Sequence, residues 1–405
     1  MGQEGFSSVK ILIQEAAMQT QEQLAQVKKH QHSLFIGIPK EITMQENRVP
    51  LTPSSVEFLV NNGHRIIIET QTGKNANFSD SEYSEAGAEI VQKCEDIYKA
   101  DIVLKIDPPT LKEADLLRPN QLLISALQLN NLDEMLVRRL MAKKVNALAY
   151  EFIEDESQTF PIVRAMSEIA GHGSIIIASE YLTNTHIGKG ELLGGFAGIP
   201  PTQIVIIGAG AVGEYAAKAA LGLGASVKVF DNSTYRLRRL QDNLGQRIFT
   251  STIHPKALLN ALKMADVAIG ALRSDNDRAP CVVTEEMVMA MKSKSVIIDV
   301  SVDHGGVFET TRPTNHEKPI FKVHDVIHYC VPNISSRFSR TASYALSNIV
   351  TPMLMSICDY GSFDEYIRQN RGSKNGTYLY QGGLTSKILA NKFSLAYKNL
   401  DFFLM

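Results

Sequence analysis

Cysteine is scarce and scattered. Four residues, Cys94, Cys281, Cys330 and Cys358, are spread through a chain of 405. No two form a C-x-x-C pair, so the pattern points to neither a zinc site nor a disulfide framework, and no other metal-ligand constellation stands out. Free thiols in a reducing cytoplasm are the expectation. An excess of one charge is also missing. Lys and Arg number 41 against 43 Asp and Glu, a net charge of −2, which gives no electrostatic basis for binding nucleic acid. No apolar run reaches the roughly 18 to 20 residues of a membrane span. The first residues lack the basic start and apolar core of a signal peptide. Low-complexity segments and repeats of about 20 to 50 residues are absent as well. These absences point away from nucleic acid, membrane and secretion, and the expected location is the cytoplasm.

What is present is ordinary globular composition, with 44% hydrophobic and 21% charged residues. The length suits two or three domains with large cores. The N-terminal stretch "SSVKILIQEAAMQTQEQLAQVKKHQHS" reads as a polar, amphipathic helix, so residues 1–33 form an extension. Its apolar Val9, Ile11, Leu12, Ala16 and Ala17 either cover a groove on the body or a partner subunit, or belong to a solvated, frayed segment.

From Leu34 the texture alternates. "LFIGIPK" reads as a strand, and "TPSSVEFLVNNGH" as a helix with Thr52 as cap, Pro53 at its first position and Gly63 as stop. "RIIIET", "ADIVLKI", "QLLISALQL" and "VNALAYEFI" are further strands, separated by helical stretches such as "NLDEMLVRRLMAKK". A long helix is expected over 162–184. A second alternating block follows, with strands at "QIVIIG", "SVKVFD", "DVAIGAL", "SVIIDV" and "VIHYCV". The chain turns helical again near Arg340. Such alternation predicts βαβ units and parallel sheets. The expected fold is α/β, two doubly wound Rossmann-like domains joined by long helices, with the extra N-terminal helix. Residues 34–161 and 340–405 would form a discontinuous substrate domain, and 162–339 a dinucleotide-binding domain.

The densest signal is "VIIGAGAVGEYAAKAALGLGASVKVFD", from Val205 to Asp231. It places Gly208, Gly210 and Gly213 in G-x-G-x-x-G between a strand and an alanine-rich helix that begins at Ala211 and Val212. Gly208 permits a tight turn, Gly210 lets backbone approach a pyrophosphate, and Gly213 lets the helix pack closely on the strand. The helix N-terminus offers free N–H groups and a partial positive charge. Asp231 closes the next strand, where a carboxylate accepts hydrogen bonds from ribose hydroxyls. It also favours NAD over NADP, although Arg236 and Arg238 lie close behind.

"GIPKEITMQENRVPLTPSSVEFLVNNGH", "AMSEIAG", the glycine-rich stretch, "IIDVSVDHGG" and "VIHYCVPN" together resemble the alanine dehydrogenase family. More loosely they resemble the NAD-binding alpha subunit of proton-translocating transhydrogenase. The resemblance spans residues 34–354. It implies a two-domain enzyme that reversibly oxidises L-alanine with NAD to pyruvate, ammonia and NADH, assembled as a hexamer or dimer. It also implies site residues. Arg48 would grip the substrate carboxylate, Asp303 would stand by the nicotinamide and substrate, and Ser167 would contact the cofactor phosphates. Leu272, Val331 and Asn333 would line the cofactor, although Pro332 and Ile334 depart from the residues that usually flank the asparagine.

Two departures concern chemistry. Where the resemblance implies a pair of lysines, the stretch is "KIDPP": Lys105 matches the first, but Asp107 stands at the position that meets substrate. Where it implies an acid–base histidine, the stretch is "ISALQL", and the position is Gln128. Aspartate inverts the charge beside an anionic substrate, and glutamine carries no proton near neutral pH. General acid–base catalysis contributes about 10² to 10⁴ in rate, and Lys105, Lys74, His172 and His304 are the candidates to stand in for the missing group. Three readings stay open: an amino-acid dehydrogenase, a cofactor carrier of transhydrogenase type with no alanine activity, and an enzyme whose substrate brings an extra cation to meet Asp107.

Overall fold

The computed structural model describes residues 32–43, 46–129, 132–184, 187–273 and 278–404. The expected N-terminal helix lies outside these residues. Six strands come first: β1 (Phe35–Ile38), β2 (Arg65–Glu69), β3 (Glu89–Val91), β4 (Ile102–Leu104), β5 (Leu122–Ser125) and β6 (Asn146–Ala149). A second set follows: β7 (Gln203–Ile207), β8 (Ser226–Phe230), β9 (Phe249–Ser251), β10 (Val267–Gly270), β11 (Val296–Asp299), β12 (Ile320–Val323) and β13 (Val326–Tyr329). The chain then returns to the first sheet with β14 (Thr377–Tyr380) and β15 (Gly383–Leu384).

The first sheet runs β15-β14-β6-β5-β4-β1-β2-β3 and the second β12-β13-β11-β10-β7-β8-β9. β1 to β6 pair in parallel, as do β7 to β11 with β13. Antiparallel pairing is confined to the ends of the sheets, β12 with β13, β14 with β6, and β15 with β14. Each sheet therefore reverses its winding once, between β1 and β4 and between β7 and β10. Ligands of open α/β sheets bind beyond the carboxyl ends of the strands at such switch points.

Burial explains the near-continuous apolar strands. In β7, Ile204 and Ile206 face a core with Val229, Ala216 and Ala220, while Val205 and Ile207 face another with Ala268, Leu258 and Leu262. A strand exposes alternate residues to opposite faces, and helices cover both here. The two blocks are linked by the helix Pro161–Leu182, with Pro161 in its first turn, and by the helix Ser339–Asp359, against which it packs. The expected strands and the long helices expected after Leu34 are present among the described residues; β9, β12, β14 and β15 are additional. Each of these has two to four residues and lies towards a sheet edge, too short for alternation to stand out.

Candidate active site

The strand ends of the two sheets open onto one cavity of about 700 Å³, within the range of small-molecule sites. From the first sheet come Asp107 beyond β4, Gln128 beyond β5 and Glu151 beyond β6, together with Arg48. From the second come Leu272 beyond β10, Asp303 and His304 beyond β11, and Asn333 beyond β13. Met166 and Ser167 of the linking helix complete the wall. Residues some 300 positions apart thus meet because both sheets present the same ends.

Arg48 is 9% exposed. Its Nε donates to Glu46 Oε1 at 2.7 Å and its Nη2 to Glu46 Oε2 at 2.5 Å. Burial works against its charge, but Glu46 outweighs burial and the guanidinium is held more firmly protonated than usual. Nη1 lies near Met166 Sδ at 3.2 Å and Ser335 Oγ at 3.4 Å. Glu46 thus clasps the Nε side of the fork, and the Nη1 side turns towards cavity-lining residues. Asn333 also donates to Glu46 Oε2, at 2.9 Å, from a left-handed backbone with φ of 56°. Glu46 was not anticipated, although it sits two residues before Arg48 in the same motif.

Asp107 and Gln128, the two departures, are bonded to each other. Gln128 Nε2 donates to Asp107 Oδ1 at 2.6 Å, and Thr43 Oγ1 donates to Asp107 Oδ2. Burial and the nearby Glu46 push the Asp107 carboxyl above its usual range; Thr43, Arg48 and Lys105 oppose the shift. Gln128 has φ of 48°, and its backbone N–H donates to Glu151 Oε1 at 3.1 Å, beside that of Leu127 at 2.7 Å. Burial also raises the Glu151 carboxyl, against these amides and Arg273. Asp303 opens onto the cavity, yet the surrounding protein raises its carboxyl, opposed by His304 and the Asn333 amide. Its loop is anchored by buried Asp299, which accepts from the backbone of Ser301 at 3.0 Å and of Val307 at 2.8 Å. Glu151, Arg273 and Asp299 were not singled out from sequence, since isolated charges at strand ends carry no motif.

Several expected residues lie elsewhere. Lys105 is 1% exposed and bound to Glu113 at 2.9 Å and Glu41 at 3.5 Å. It lines no part of the cavity, because Glu41 and Glu113, on either side of it in sequence, draw the ammonium inward, away from any role as stand-in base. Lys74 and His172 are exposed and also outside the cavity lining. Val331 is core, packed with Tyr329 and Ile334. Of the four proposed stand-ins, only His304 lines the cavity.

The Lys105 cluster has a measurable consequence. Burial pushes the Glu41 carboxyl up to about 8, despite Lys105. A folded-state pKa above the unfolded one means that stability falls as pH rises from the ordinary carboxyl value to about 8. Glu41→Gln is expected to remove that slope, so its melting temperature relative to the parent rises from pH 5 to pH 8; a constant difference would refute this.

The glycine-rich turn adjoins the cavity through Val212. Gly208 has φ of 119°. A Cβ on Gly213 would lie 1.9 Å from Gly208 O, whereas one on Gly210 would meet no protein atom within 4 Å. Gly210 N-caps the helix Ala211–Gly222 without a side-chain cap, so its first-turn N–H groups have no intrahelical partners. The open space at Gly210 beside these donors fits a dinucleotide pyrophosphate. Asp231 is buried at the end of β8, with Oδ2 accepting from Ala209 N and Oδ1 from Ser233 N, each at 2.7 Å. A carboxylate has about four acceptor sites, so it retains capacity for two hydroxyls. Arg236 is exposed on the following helix. Among the described residues, no group of His, Cys, Asp and Glu is placed to hold a metal ion, and no helix is long and apolar enough to cross a membrane.

Comparison with known proteins agrees with this architecture. Residues 37–170 match the alanine dehydrogenase/PNT N-terminal domain and residues 174–387 the corresponding C-terminal domain. Alanine dehydrogenase 2 of Staphylococcus aureus strain USA300 is 38% identical over 367 residues, 90% of this chain and 98% of its own. A solved L-alanine dehydrogenase superposes with a TM-score of 0.83 at 36% identity, covering 89% of this chain and 99% of its own. A transhydrogenase from Sinorhizobium meliloti shares the fold, with a TM-score of 0.73 at 22% identity over 87% of this chain and 99% of its own. The chain belongs to the alanine dehydrogenase/PNT family.

Proposed function

We propose that the protein is an NAD-dependent alanine dehydrogenase, catalysing the reversible oxidative deamination of L-alanine to pyruvate and ammonia. One observation carries the reading: buried Arg48 and the acidic groups Asp107 and Asp303 face a single cavity that adjoins the glycine-rich turn. Arg48 takes the substrate carboxylate on the Nη side of its fork, a geometry suited to a carboxylate. Gly208, Gly210 and Gly213, with the N–H groups of Ala211 and Val212, hold the pyrophosphate, and Ser167 reaches the phosphates. Asp231 takes the adenosine ribose. Leu272, Asn333 and Asp303 flank the nicotinamide. Bound there, NAD supplies the hydride acceptor for the substrate Cα. The chain's own task is to orient Cα, exclude water and move protons at the nitrogen and the incoming oxygen.

The same reading makes the enzyme cytoplasmic and a homo-oligomer. Self-association is supported by the exposed apolar hairpin of Phe196 and Ile199, which pair with each other beside exposed Leu192. The test is the initial rate of NADH formation over a panel of L-amino acids with NAD or NADP. The expected result is the highest kcat/KM for L-alanine with NAD. Tight NAD binding with no amino-acid oxidation would overturn the proposal.

A further inference from the structure

We infer that Asp107 is the catalytic residue that meets the substrate at its nitrogen and carries the proton exchanged there, with Gln128 and Thr43 as its positioning residues. The inference rests on the dehydrogenase reading and names a group that performs its proton chemistry. Asp107 lines the cavity alongside Arg48. Both carboxyl oxygens are fixed by neutral donors, Gln128 Nε2 at 2.6 Å and Thr43 Oγ1. Each oxygen thereby keeps an acceptor site. Gln128 is itself anchored, because its N–H is taken by Glu151 from a strained left-handed backbone.

Other proton-bearing groups at or behind the first-sheet wall are bonded within the protein or, for Glu151 Oε2, buried without a partner. Glu46 clasps Arg48. Tyr150 donates its hydroxyl to Ile106 O at 2.7 Å. Glu151 spends Oε1 on two amides, and its Oε2 is sealed away from solvent. The charged and titratable groups acting on Asp107 are Glu46, Arg48, Lys105, Glu41 and Tyr150. Burial and Glu46 raise its carboxyl above the usual aspartate range, and Thr43, Arg48 and Lys105 oppose the rise.

The charge of Asp107 then selects between the two substrates. As carboxylate it attracts the ammonium of L-alanine and repels the carbonyl oxygen of pyruvate. As neutral acid it donates a hydrogen bond to that oxygen. In the forward direction the carboxylate takes a proton from the ammonium and releases it to solvent. The Cα–H electron pair leaves as hydride to NAD, giving the iminium. Water adds to that carbon and loses a proton to Asp107, which returns it to the nitrogen. The C–N bond breaks with its electrons on nitrogen, the hydroxyl proton passes back through Asp107, and pyruvate and ammonium result.

The experiment compares the parent with Asp107→Asn and Gln128→Leu. Pyruvate binding to the NADH-loaded protein is titrated across pH without ammonium, so that no amination occurs. The chain has no tryptophan, which leaves NADH fluorescence a clean signal. In the parent, pyruvate affinity should weaken about tenfold or more as pH rises through the Asp107 titration. Asp107→Asn should abolish that dependence, keep NADH affinity within about twofold, and lower kcat/KM for L-alanine by about 10² to 10⁴. Gln128→Leu removes a donor to the carboxylate, so it should move the titration upward. Asp107→Asn with undiminished turnover and unchanged pH dependence would overturn the inference alone, as would loss of the dependence in His304→Gln instead. A parent that binds NADH but oxidises no L-alanine would overturn the dehydrogenase reading, and the inference with it.

Discussion

Arg48→Ala is expected to lower kcat/KM for L-alanine by about 10² to 10³ while leaving NAD affinity nearly unchanged. Truncating one partner of a buried charge pair costs about 2–5 kcal/mol, and each 1.4 kcal/mol is about tenfold. Arg48 is the cation of the first-sheet wall, and its other partner, Glu46, would be left buried and uncompensated. Part of the loss will therefore appear as reduced stability, which a melting curve separates from the kinetic effect. Arg48→Lys distinguishes charge from geometry. A lysine keeps the charge but cannot clasp Glu46 with one edge and present another to substrate, so most of the activity should stay lost. Retained turnover in Arg48→Ala would remove Arg48 from substrate binding.

The second large effect concerns two glycines three residues apart. Gly213→Ala forces a Cβ to within 1.9 Å of Gly208 O, and backbone cannot yield as a side-chain tip can. Overpacking of this kind costs about 1–3 kcal/mol or more, so both stability and NAD affinity should fall. Gly210→Ala meets no protein atom within 4 Å. It should melt like the parent, yet bind NAD about tenfold or more weakly, because the methyl takes the space where the pyrophosphate would approach. Melting curves and calorimetric NAD titrations on both variants check this contrast. Equal behaviour of the two would mean that the open space at Gly210 is not a phosphate cradle.

These expectations trace back unequally to the sequence. The parallel strands announce themselves because burial on both faces demands runs such as "QIVIIG", and the glycine-rich turn is legible because each glycine answers a separate steric need. The edge strands β14 and β15 leave no such trace. β14 is held by antiparallel pairing to β6, a partner more than 200 positions away, and β15 by antiparallel pairing to β14. In the site, Arg48 and Asp303 carry motif signals, whereas Glu46 and Glu151 are revealed only by the partners that folding brings to them. Lys105 shows the reverse error: its match to a lysine of the resembled family suggested a cleft, but Glu41 and Glu113 draw its side chain into the interior. The Asp107–Gln128 contact is the clearest case of information absent from linear order. Read singly, each position is a loss of chemistry; read together, they form a hydrogen-bonded pair at the cavity wall.

The central claim is that this cavity interconverts an amino acid and its 2-oxo acid. The most direct measurement is the reverse reaction with pyruvate, NADH and ¹⁵N-labelled ammonium, following nitrogen into product. The expected result is L-[¹⁵N]alanine formed in one-to-one proportion to NADH consumed, lost in Arg48→Ala. Oxidation of NADH without label in alanine, or no reaction in a protein that binds NADH tightly, would contradict it.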